Sequence, residues 1–263
     1  MLLPCTTKNI IKRLNNMKLE LIVPTKLSEI PLKHYQKFLA VAEKTNDEVF
    51  LAEKMIESFC GIELKEVVKI PFKEIEALSH HFATMFQSKP EFKNRFTLAG
   101  VEFGFIPNLE NMSWGEYIDL EANISDIKTF HKAMAVMYRP IVEKHGDKYK
   151  IESYESAANY SEVMEFAPLE IALAAKVFFW NLESELLQAT LYYLETEIAK
   201  NKEITMTLAK ELNLVNSGAG IKAYMQQLRE TSQSLTKLQN FDLQQHLPTL
   251  LLKSNEPKLS NVN

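Results

Sequence analysis

Cysteine is almost missing from this chain: Cys5 and Cys60 are the only two in 263 residues. Two thiols are too few for a disulfide framework or a Cys-based zinc site, so one optional bridge is the most they allow, and a reducing compartment is the simplest home. Glycine is scarce too, with seven in all; none falls between Gly146 and Gly218, and no proline falls between Pro168 and Pro248. A stretch free of both breakers leaves room for long helices. An excess of one charge is also lacking, since 30 basic residues face 34 acidic ones for a net charge of -4. No global field therefore draws the chain to nucleic acid or to an anionic membrane. Long apolar runs are absent as well. The most apolar segment, 166–182, contains Glu170 and Lys176 and falls short of the roughly 20 apolar residues a bilayer requires, so it reads as a buried helix. At the start, charges follow only a very short apolar stretch, and no signal peptide is expected. Gly218-Ala-Gly220 has no preceding strand, no third glycine at dinucleotide-binding spacing and no Gly-Lys-Ser/Thr, so nucleotide binding is not expected there.

What remains is a composition 46% hydrophobic and 24% charged, long enough for a substantial core. The pattern predicts an α+β fold, predominantly α-helical, with a helical core and a small antiparallel β element whose strands lie near 18–23, 66–70, 96–106 and 148–154. Leu32, Tyr35, Phe38, Leu39 and Ala42 recur at helical spacing, as do Val49, Phe50, Ala52, Met55, Ile56 and Phe59. Asn46 or Asp47 can cap the second of these helices and Gly61 can end it. A third helix carries Ile75, Leu78, Phe82, Met85 and Phe86 and stops before Pro90. Ala99-Gly100 between apolar stretches predicts a hairpin, and Gly104 between two phenylalanines marks a bulge or a close backbone approach. Ser113 with Glu116 three residues on is a capping box, opening a helix with Trp114, Tyr117, Ile118 and Leu120. A further helix over 127–137 follows, limited by Pro140, and the helix from Pro168 onward is placed in the core. The domain plan is a basic arm over 1–17, an α+β subdomain over 18–110, a helical subdomain over 111–240 and a flexible tail over 241–263.

Few residues invite chemistry. His80 and His81 are adjacent and point about 100° apart on a helix, which is not the i, i+4 pairing that a helical zinc motif needs. One exposed and one half-buried histidine is the expectation. Glu116, Asp119, Glu121 and His131 are the residue types of a carboxylate metal site or an acid/base pair; the alternative is that Glu116 caps its helix and the others are solvated or pair with a base such as Arg139. Met134, Met137 and Met164 with Phe178, Phe179 and Trp180 are candidates for an adaptable docking surface, with core packing the alternative for most of them. Lys8, Lys12, Arg13 and Lys18 among Ile10, Ile11 and Leu14 make the arm basic and amphipathic, either solvated, docked on a partner, or laid on nucleic acid or a membrane surface. No catalytic residue, cofactor or metal ligand is assigned.

The order of these segments carries a resemblance. A Leu-Ile-Val-Pro strand and two short helices precede Phe-Thr-Leu-Ala-Gly-Val-Glu-Phe-Gly-Phe-Ile-Pro-Asn-Leu. Then come Trp-Gly-Glu-Tyr-Ile-Asp-Leu-Glu and His-Lys-Ala-Met-Ala-Val-Met-Tyr-Arg-Pro-Ile. Over residues 18–195 this resembles tail-assembly or virion-associated proteins of tailed bacteriophages, of the type found in phages of gut Bacteroidetes, and is distantly similar in layout to baseplate-hub assembly proteins. The resemblance implies a non-enzymatic morphogenesis protein, either a tail-assembly chaperone or a minor structural component, located in the host cytoplasm during assembly or in the virion. It implies phage tail or head-tail structural proteins as partners, leaves a homo-oligomer open, and calls for neither a membrane nor nucleic acid. Gly100, Gly104, Phe105, Trp114, Gly115, Tyr117, Met134, Tyr138 and Arg139 are the residues expected to shape the central motif, as architecture or interface. The two other readings are a metal-dependent enzyme built on Glu116, Asp119 and His131, and a DNA-associated packaging protein using the basic arm.

Overall fold

The computed structural model describes residues 10–13, 20–200, 226 and 230. The described residues up to Ala174 form one compact unit and those from Ala175 another. The expected helices beyond residue 200, Gly218, Gly220 and the expected tail over 241–263 lie outside the described residues, apart from Gln226 and Glu230, which are helical.

The first unit is α+β and mostly helical, as its periodicity requires. Strands β1 (Ile10–Arg13) and β2 (Glu20–Val23) pair antiparallel. Part of the expected arm is therefore a strand, because Ile10 and Ile11 supply β-branched residues opposite the alternating Leu-Ile-Val of β2. Helices α1 (Leu32–Ala42) and α2 (Glu48–Cys60) form the expected hairpin. Asp47 caps α2 by accepting from the amides of Val49 and Phe50, and Gly61 ends it at φ 66°. Pro31 offers α1 no side-chain cap. Its first amides instead donate to the main chain, Leu32 to the Ala167 carbonyl at 2.9 Å and Lys33 to the Glu165 carbonyl at 2.8 Å.

The expected strand over 66–70 is a correction: the chain there forms helix α3 (Leu64–Val67) and a following turn. Leu64, Val67 and Ile70 fall three apart, Val67 and Ile70 are buried, and Val68 and Lys69 between them are exposed. That is helical spacing, and a strand would have alternated. Helix α4 (Phe72–Phe86) follows, burying Leu78, Phe82, Met85 and Phe86. Phe59 of α2 sits at the centre of the aromatic packing, with ring centroids 5.4 Å from Phe38, 5.3 Å from Phe82 and 5.6 Å from Phe86.

Next comes an antiparallel meander, β3 (Arg95–Leu98), β4 (Val101–Phe105), β5 (Tyr138–His145) and β6 (Lys148–Ile151), in that order across the sheet. Between β4 and β5 run helices α5 (Trp114–Ile124) and α6 (Phe130–Met137). The sheet thus takes strands from both sides of residue 110. Helix α6 starts later than the expected 127 because Asp126 accepts from the Lys128 amide and holds a turn. Strand β5 was not foreseen. Pro140 ended the helical reading correctly, but the β-branched Ile141 and Val142 after it continue as strand. The strand expected over 148–154 stops at Ile151; the Glu152 amide still bonds the Pro140 carbonyl, and the chain then departs. A short helix α7 (Ala158–Met164) leads to the long α8 (Leu169–Lys200).

The core of this unit centres on α6, where every residue from Ala133 to Tyr138 is at most 1% exposed. Leu169 and Ile171 to Ala174 of α8 are buried as well, in keeping with the expected core placement of that helix. Among the described residues no helix is long and apolar enough to cross a membrane.

In the second unit, the described part of α8 buries Ala175, Phe179, Ser184 and Leu191, while Leu186, Tyr192 and Tyr193 are exposed.

Candidate functional site

The nine residues of the central motif divide into three groups. Phe105, Met134 and Tyr138 are core: each is at most 5% exposed, and the Tyr138 hydroxyl donates to the Lys93 carbonyl at 2.8 Å. Phe105 and Tyr138 lie opposite one another across β4 and β5 with ring centroids 5.2 Å apart, and Phe96 packs edge-on to Tyr138 at the same distance. Met137 and Met164 are fully buried too, so these methionines serve the core and not a docking surface.

The second group shapes the backbone. Gly100 has φ +84° and Ala99 has φ 51°, the paired positive values of a two-residue hairpin turn. Gly104 is required by close approach: a Cβ there would stand 2.4 Å from Tyr149 Cε2 and 2.9 Å from Ile141 Cγ1. The Tyr149 ring crosses β4 over this glycine, its hydroxyl donates to the Phe105 carbonyl at 2.9 Å, and Arg95 lies over its outer side at 5.8 Å. Tyr149 was not singled out from sequence; only its alternation within β6 hinted at an inward position. Gly115 is different, because a Cβ would meet Tyr154 at 3.6 Å, an ordinary contact.

The third group surrounds the start of α5. Ser113 and Glu116 form the expected capping box, with the Ser113 amide donating to Glu116 Oε2 at 2.6 Å and the Glu116 amide to Ser113 Oγ at 3.3 Å. The other carboxylate oxygen of Glu116 meets Arg139 Nη1 at 2.6 Å, and both side chains are buried. Burial alone would raise the Glu116 carboxyl, but the hydrogen bonds from Ser113 and the Arg139 guanidinium outweigh it and hold the group below its usual range. Arg139 stands opposite Gly104 in the ladder, and its guanidinium lies 5.3 Å from the Tyr154 ring centroid. The Tyr154 hydroxyl in turn donates to Asp119 Oδ2. One chain of contacts thus joins α5 to β5 and to the segment after β6. It lines one side of a cleft of about 420 Å³ together with Asn108, Asn111 and Ser153.

Outside this clamp, α5 presents apolar side chains to solvent. Trp114 is 74% exposed and stacks on Tyr117 with centroids 5.6 Å apart and planes 19° apart; Tyr117 and Ile118 are 47% and 45% exposed.

The residues considered for metal or acid/base chemistry are engaged separately. Glu116 holds Arg139, Asp119 holds Tyr154, and His131 Nδ1 lies 3.2 Å from Gln36 Nε2, while Glu121 is exposed. An amide nitrogen can only donate, so the His131 ring accepts there in its neutral form; burial, the largest influence on it, lowers its pKa. Among the described residues no three His, Cys, Asp or Glu side chains gather where they could hold one metal ion. His80 is exposed, and half-buried His81 bonds the Pro24 carbonyl at 2.8 Å, as the adjacent pair predicted. No family model matches the chain, and no curated protein or solved structure matches it either.

Proposed function

We propose that this chain is a non-catalytic protein-binding component of tailed-phage assembly, a tail-assembly chaperone or a minor part of the particle. One observation carries the binding role: an exposed Trp114–Tyr117 stack with Ile118, held on a helix whose first turn is clamped to the sheet by the Glu116–Arg139 pair. Aromatic anchors on a rigid frame lose little conformational entropy on docking, which is why Trp and Tyr dominate binding hot spots. The phage setting rests on the resemblance of the ordered segments over 18–195.

The test is quantitative mass spectrometry on purified particles beside infected-cell lysate, measured against the major capsid protein. A fixed copy number in particles identifies a virion component, and abundance confined to lysate, together with a bound structural protein, identifies a chaperone. A chain that neither enters particles nor co-purifies with any phage structural protein overturns the proposal.

A further inference from the structure

The exposed face of α5 has a charge as well as a shape. From Phe96 to Ile127 the chain contains no lysine, arginine or histidine, but six acidic residues: Glu102, Glu110, Glu116, Asp119, Glu121 and Asp126. Lys144 neutralises Glu102 and Arg139 neutralises Glu116. Glu110 and Glu121 are exposed and make no ion pair among the described residues. At 100° per residue, Glu121 falls within about 20° of Trp114 around the helix axis and lies one turn beyond Tyr117. The face therefore reads Trp114, Tyr117, Ile118, Glu121, with an open indole side opposite the Tyr117 stack.

Indole is the best aromatic partner for a guanidinium or ammonium group, and a nearby unpaired carboxylate adds to the attraction. We infer that this face binds a basic segment of a partner protein, one arginine or lysine stacking on Trp114 and a second pairing with Glu121. Seven residues of helix separate the two contacts by about 10 Å, which a partner segment in polyproline II conformation, with three residues per turn and a rise of about 3.1 Å, spans with two basic residues three apart on one face. This inference rests on the protein-binding reading above and adds the chemistry of the partner.

The probe is a fluorescein-labelled peptide carrying Arg-Ala-Leu-Arg, with Glu-Ala-Leu-Glu as its control, followed by fluorescence anisotropy at low and moderate salt against the full chain. The expected result is saturable, salt-weakened binding of the arginine peptide and none of the glutamate peptide. Trp114→Ala, which leaves net charge unchanged and removes an exposed side chain, weakens it about fivefold or more. Glu121→Gln weakens it as well and flattens its salt dependence. Equal binding by wild type and Trp114→Ala, equal binding of the two peptides, or no binding at low salt overturns the inference. Should the arginine peptide fail while Trp114→Ala still abolishes co-purification of a phage structural protein, the protein-binding reading stands and the basic partner falls.

Discussion

At the scale of single residues, the hairpin between β3 and β4 holds a conformational conflict. Ala99 sits at φ 51°, where the Cβ of an L-residue crowds the backbone, at a cost of roughly 1 kcal/mol. Replacing it with Asn, which tolerates this region and favours the same two-residue turn, should raise unfolding free energy by about 0.5–1 kcal/mol in urea titrations. Gly104→Ala has the opposite sign, because the added methyl meets a ring wedged between strands. A loss of about 1–3 kcal/mol is expected, and Tyr149→Leu in the same background should recover part of it by withdrawing the ring. Gly115→Ala offers the contrast, since its contact with Tyr154 is ordinary and alanine favours the helix; stability should hold or rise slightly. Both glycines stood out in the sequence for their neighbours alone. Only Gly104 is needed, and the residue that needs it lies 45 positions later, which no local pattern can reveal.

At the scale of elements, the junction of α5 with β5 depends on one buried ion pair. Arg139→Met leaves Glu116 buried without its counter-ion and should cost about 3–5 kcal/mol, whereas Arg139→Met with Glu116→Gln should cost clearly less, because no uncompensated charge remains. The pair also sets an acid limit. The folded Glu116 carboxyl titrates below its ordinary 4.5, so its contribution is complete above that value and is lost as pH falls through the lower folded value. Thermal melts from pH 6 to pH 3 should show a shallower decline in Glu116→Gln than in wild type. Local patterning announced the elements whose caps are side chains or glycines: Asp47, Gly61, Ser113 and Glu116 all do what their spacing indicated. It missed α3, where a short run of Val and Ile between charges carried helical and strand signals at once. It also missed β5, which pairs with β4, a strand more than 30 residues earlier. The capping role of Glu116 was legible for the same reason. Its pairing with Arg139 was not, since it exists only once the sheet has formed.

At the scale of the whole molecule, solvent exclusion is concentrated where α6 passes directly into β5. Amides from Ala133 to Arg139 should exchange slowest in native-state hydrogen exchange, with free energies approaching that of global unfolding, and those of α7, mostly solvated, should exchange faster. Comparable protection in both segments would contradict this placement of the core. The predominantly helical α+β class was legible from composition and breaker distribution because those are properties of the whole chain. Three of the meander's four strands were legible, β3, β4 and β6, and only β5 was not, since its partner β4 lies beyond two intervening helices.

The strand order has a further consequence for synthesis. As the chain leaves the ribosome, the β3–β4 hairpin emerges with one edge of β4 unpaired, and that edge stays bare until the 32 residues between Phe105 and Tyr138 have been made. Helix formation and strand pairing are fast by comparison, so the interval is set by synthesis of those residues, about 2–6 s at about 5–20 residues per second. During that interval the hairpin's apolar face, Phe96, Phe103 and Phe105, is the part of the nascent chain most open to pairing with another copy of itself.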